Sequence, residues 1–165
     1  MPTLDDAVYL LQQGRFPEGQ RILEDLLKRN PSDPSILYNL GMCYSERGML
    51  DKSIRVLERC IQLDSHNPNP HVALGFSYAR NQQPEKAVEV LRRAVELEPG
   101  NYHALRNLAS VYGTLNQFDQ AIEAFKAADE IVPNTPEVLY ELVSRAGRKA
   151  GHQATTWLPF CWYCS

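Results

Sequence analysis

No stretch of this chain approaches the roughly 20 consecutive apolar residues that a membrane-crossing helix needs. Nor is there a basic excess: 17 Lys and Arg face 20 Asp and Glu, a formal charge of −3. A surface built to neutralise phosphates carries the opposite balance, so nucleic acid is not the expected partner. The first residues, Met1 to Gln13, hold Asp5 and Asp6 but no Lys or Arg. They therefore lack the basic start of a secretory signal, and the cytoplasm is the expected location. Cysteine is sparse, with four residues in 165, which excludes a disulfide framework. Also missing are a phosphate-cradling glycine loop, a G-x-S-x-G elbow and an H-E-x-x-H pair. His66, His71, His103 and His152 show no ligand spacing. No enzyme chemistry and no cofactor are expected.

What the chain does have is a period. Leu40, Gly41 and Tyr44 recur 34 residues later as Leu74, Gly75 and Tyr78, then as Leu108, Ala109 and Tyr112. A second set keeps the same step: Gly19 with Leu23, Ser53 with Leu57, Ala87 with Leu91, Ala121 with Phe125. Leu26, Cys60, Ala94 and Ala128 form a third, and Pro31, Pro99 and Pro133 close three of the units. A fixed step without insertions is the mark of a stacked-repeat architecture.

Each unit reads as two helices. Leu37, Leu40, Gly41 and Tyr44 lie at i, i+3, i+4 and i+7, and Ile54, Leu57, Cys60 and Ile61 make a second such face. Gly14, Gly48, Gln82 and Asn116 occupy equivalent stop positions between the two helices. Asp51 is the expected cap of the helix after Gly48, and Pro84 the expected start of the one after Gln82. The expected pairs are 2–13 with 17–29, 34–47 with 51–63, 68–81 with 84–97, and 102–115 with 118–131. A ninth helix over about 136–149, carrying Leu139, Leu142, Val143 and Ala146, is expected to cap the array.

The Leu-Gly pair, the tyrosine three residues later, the small and large apolar positions and the closing proline resemble the tetratricopeptide repeat. The resemblance spans about Pro2 to Arg148. It implies an all-α, right-handed superhelical solenoid of antiparallel helix pairs over residues 1–149, with units of about 1–33, 34–67, 68–101 and 102–135. Residues 150–165 fall outside the pattern. The fourth position of each unit, often a bulky aromatic in the family, holds Leu37, His71, Leu105 and Leu139.

The resemblance further implies a concave side lined by the first helix of each unit and a non-catalytic protein-binding role there. Leu4, Val8, Tyr38, Met42, Val72, Phe76 and Tyr140 are apolar residues of those helices that the core stripe does not require. Between them stand Asn39, Asn69, Arg80, His103, Arg106 and Asn107. Asn39 and Asn107 match a slot whose amide, in the family, holds a peptide backbone; Ala73 breaks the series. Arg80, His103 and Arg106 suit an acidic side chain of a partner, although scattered surface charge reads equally well. A clamp for a C-terminal carboxylate, known in chaperone-binding members, is not expected. The slots for its cations hold Met1, Asn69 and Ala73 in one register, and Ser35, His103 and Asn107 in the other.

The aromatic tail, with Trp157, Phe160, Trp162 and Tyr163, ends in Cys161-Trp162-Tyr163-Cys164. A redox dithiol or half a zinc site is the distant alternative, but no strand precedes the pair and only His152 lies near as a further ligand. Self-assembly into a homo-oligomer through the tail or the ends of the array is the second reading.

Overall fold

The computed structural model describes residues 1–133. Within them the chain forms eight helices and no strand: α1 (Leu4–Gln12), α2 (Phe16–Arg29), α3 (Pro34–Glu46), α4 (Leu50–Leu63), α5 (Pro68–Arg80), α6 (Pro84–Leu97), α7 (Tyr102–Thr114) and α8 (Phe118–Ile131). The expected ninth helix, Tyr140 and the aromatic tail lie outside the described residues.

Every helix packs on its predecessor, which generates the array. Two further observations give it curvature. The odd helices also meet one another, α1 with α3, α3 with α5 and α5 with α7, while no comparable contact joins even helices. The odd helices therefore crowd the inner side of a solenoid and the even ones fan out behind them.

Close approach within each hairpin depends on one small residue. A Cβ on Gly41 would stand 2.5 Å from Leu57 Cγ, and one on Gly75 would stand 2.4 Å from Leu91 Cγ. Leu57 and Leu91 are wholly buried, so neither has room to withdraw. The flanking units use alanine against the equivalent residue, Ala7 packing in one cluster with Leu23 and Ala109 in another with Phe125.

The four expected stops all adopt positive φ: Gly14 (72°), Gly48 (73°), Gln82 (57°) and Asn116 (60°). That geometry turns the next amide back onto the helix just finished. Arg15 N, Met49 N, Gln83 N and Gln117 N donate to Leu10 O, Tyr44 O, Tyr78 O and Tyr112 O, at 2.8–3.0 Å. Asp51 is not the cap expected of it. Helix α4 begins one residue earlier with Met49 at the cap and no side-chain capping bond, and Asp51 sits in the first turn. There its carboxylate accepts from Asn81 Nδ2 at 3.1 Å, a tie to the following unit. The side-chain caps belong to the odd helices instead. Thr3 forms a capping box with Asp6, and Asp33, Asn67 and Asn101 accept from the first amides of α3, α5 and α7.

Polar groups in the middle of the stack are mutually satisfied. Ser53 Oγ donates to Gly41 O at 2.7 Å and lies 2.9 Å from Ser77 Oγ, which reaches Ser45 Oγ at 3.3 Å. This chain of hydroxyls joins α3, α4 and α5. His71 fills its core slot as a buried ring with Nδ1 3.0 Å from Asn67 O, and burial holds its pKa below 6.5. The neutral imidazole thus donates to that carbonyl in place of packing as leucine does at positions 37 and 105.

A candidate binding groove on the inner face

The odd helices present their leftover side chains on the inner side, and the twelve expected groove residues within 1–133 divide into three groups. Leu4, Val8, Tyr38, Asn39, Met42, Phe76, Arg80 and Arg106 are half-buried, the state of side chains that flank a groove. Asn69 and His103 are exposed. Val72 and Asn107 are buried, at 2% and 9% exposure.

For Val72 the expectation fails. It packs with Ala94 and Ala104, the small residues of α6 and α7, so a slot held by tyrosine one unit earlier becomes core here. Asn107 differs in kind. Its Nδ2 is buried without a hydrogen-bond partner, a donor that costs free energy until something accepts from it. Asn39, two units earlier in the same slot, gives one amide hydrogen to Ser35 O of its own helix at 2.8 Å.

The cations on this face are already braced. Arg80 lies over the Phe76 ring at 5.5 Å and donates to Ser45 O at 2.6 Å, capping the open C-terminal end of α3. Arg106 lies 5.9 Å from the centroid of Tyr102, whose ring also meets His103 edge-on at 5.4 Å. Packing of the His103 ring against its neighbours, helped by the charge of Arg106, lowers its pKa from 6.5. The imidazole is therefore neutral at pH 7, and Arg80 and Arg106 alone carry positive charge within the expected cluster.

At the other end, where α1 and the α1–α2 turn meet α3, a cavity of about 260 Å³ opens. Leu11 and Phe16 wall one side; Tyr38, Asn39, Met42, Cys43 and Glu46 wall the other. Three of these, Tyr38, Asn39 and Met42, were expected groove residues. Glu46 was not, and its Oε1 is buried without a hydrogen-bond partner. The slot gave no warning of this: equivalent positions hold Gln12, Arg80 and Thr114, a series without chemical regularity. The Sγ of Cys43 donates to Phe16 O at 3.4 Å, and burial pushes the thiol up to about 11. Cys60 is likewise buried, bonded to Pro34 O and raised to about 11. Neither is a nucleophile near neutral pH.

No group of three or more His, Cys, Asp or Glu among the described residues is arranged to hold a metal ion, and no described helix is long and apolar enough to cross a membrane. The Cys161–Cys164 pair lies outside the described residues.

Known proteins share this architecture. Two tetratricopeptide-repeat models match the chain, one over residues 4–68 and one over residues 78–145. No curated protein sequence matches it. Among solved structures, MamA 41-end from Desulfovibrio magneticus RS-1 superposes with a TM-score of 0.81 at 22% identity, covering 90% of this chain and 84% of that one. A second MamA structure, MamA MSR-1 C2, reaches 0.75 at 27% identity, covering 90% and 85%. YrrB, described as a TPR protein with an unusual peptide-binding site, gives 0.73 at 20% identity, covering 91% and 77%. The 34-residue step, the helix pairs on every unit and these matches have one reading: the chain belongs to the tetratricopeptide-repeat family.

Proposed function

We propose that the chain is a non-catalytic adaptor whose inner face receives a segment of a partner protein, either an extended peptide or a helix. The observation that carries this reading is the pair of unsatisfied polar atoms on the odd helices, Asn107 Nδ2 and Glu46 Oε1. Folding leaves few such atoms, because each forfeits its bonds to water. A partner's backbone carbonyl at Asn107, and a donor at Glu46, would supply what the free protein lacks. Half-buried Tyr38, Met42 and Phe76 between them offer the aromatic and thioether contacts enriched at interfaces. Peptide binding by YrrB is a property of that protein; the likeness makes the same use of this fold physically reasonable here.

The test is a pull-down of cellular partners with wild type and with Tyr38→Ala, Asn39→Ala and Arg106→Ala. Interface anchors cost about 1–2 kcal/mol or more when truncated, so at least one shared partner should fall about tenfold or further in recovery. Normal recovery of every partner by all three variants contradicts the reading.

A further inference from the structure

The geometry points to a socket for a basic side chain, lysine or arginine, of the partner segment, formed where the first unit meets the second and closed by Glu46. This rests on the inner-face reading above and names what one part of that face recognises. The cavity of about 260 Å³ has a lining of mixed character. Leu11, Phe16, Tyr38 and Met42 supply apolar and aromatic surface, and Glu46 Oε1 is a buried carboxylate oxygen with no donor. Lysine and arginine have the matching anatomy, a methylene stem that prefers apolar walls and a cationic end that needs an anion. Aromatic rings beside the path of the cation add further attraction.

Nearby cations do not fill this role. Arg47, the next residue, donates to Gln20 Oε1, and Arg80 is committed to Ser45 O and the Phe76 ring. The three ion pairs of the described residues, Arg15–Glu18, Lys28–Asp25 and Arg93–Glu96, all lie within single helices or at their starts and leave Glu46 out. A charge-assisted bond is about twice as strong as a neutral one. An acidic side chain would meet repulsion there, and a purely apolar one would keep the carboxylate unpaired. The opposite sign prevails two units on, where Arg106 and Asn107 offer donors.

The probe is a set of immobilised nine-residue peptide libraries, random except for a central Lys, Arg, norleucine, Ala or Glu. Wild type should be retained at least about tenfold better by the Lys and Arg libraries than by the norleucine and Ala ones, with Glu poorest. Glu46→Gln should level that preference while still binding, and Glu46→Lys should favour the Glu library. Glu46→Gln should also melt no lower than wild type, because the carboxylate has no partner in the free protein. Equal retention of basic and neutral libraries by wild type overturns the socket and leaves the groove standing. A preference that survives Glu46→Gln, or a loss of thermal stability in that variant, overturns it as well. Retention of no library by wild type contradicts the socket together with the groove.

Discussion

The first two junctions between units are built alike, and the third is not. At the first, Tyr44 donates to Glu24 at 2.8 Å while Lys52 lies 5.6 Å from the centre of the same ring. At the second, Tyr78 donates to Glu58 at 2.6 Å with Lys86 at 5.4 Å. Each phenol is thus held between an acid from the preceding unit and a lysine from its own. At the third junction Tyr112 keeps its place in the core, but Arg92 stands where the acids stood and Gln120 where the lysines stood. An arginine has no acceptor to offer the hydroxyl. The lesson is about which slots a repeat must conserve. Most inward slots, where losses reach several kcal/mol, keep a packed side chain from unit to unit, with His71 the departure at its slot; the polar clasp around the tyrosine contributes about 1 kcal/mol and is free to drift.

The largest effects should therefore ignore the difference between junctions. Leu91→Ala in the third unit and Phe125→Ala in the fourth each remove a fully packed side chain and should cost about 3–5 kcal/mol in urea unfolding. A much smaller loss at Phe125 would show that the fourth hairpin is not packed as the third is.

Smaller effects should expose it. Tyr78→Phe should cost about 1 kcal/mol through the lost bond to Glu58, whereas Tyr112→Phe should be close to neutral. The alkaline limb sharpens this comparison. Burial, then the bond to glutamate, raises Tyr44 and Tyr78 from 10.0 to about 12. The folded chain thus holds these protons more tightly than the unfolded one. The associated stability is complete below pH 10 and falls as pH rises from 10 toward 12. Urea midpoints across that range should decline less steeply in Tyr44→Phe/Tyr78→Phe than in wild type.

The turns provide the finest contrast. Gly48→Ala forces a methyl into positive φ and should destabilise by about 1 kcal/mol, while Gln82→Gly relieves the same strain and should stabilise by a few tenths to about 1 kcal/mol. Opposite signs in the melting temperatures would confirm that the four stops are one structural device.

Most of the fold was legible because the determining interactions repeat. The spans 84–97 and 118–131 were expected as observed, and the other described helices differ from expectation by no more than two residues at either end. The polar details were less legible. Asp33, Asn67 and Asn101 fall on the same 34-residue step and cap the odd helices, whereas Asp51, the cap expected after the Gly48 stop, sits in the first turn of α4. Periodicity also could not place Val72, since whether that slot is groove or core depends on the size of Ala94 and Ala104 across the next helices. Glu46 was invisible for a related reason: its carboxylate matters through Leu11 and Phe16 of another unit, and no periodic signal announces a contact that occurs once.

The central claim is that partners lie against the odd helices. It is tested most directly by placing a photo-crosslinking phenylalanine analogue, one site at a time, at Met42 and Phe76 on α3 and α5, and at Arg55 and Arg92 on α4 and α6. Irradiation in cells should yield discrete adducts with the same partner from positions 42 and 76 and none from 55 and 92. Adducts confined to the outer positions would contradict the account.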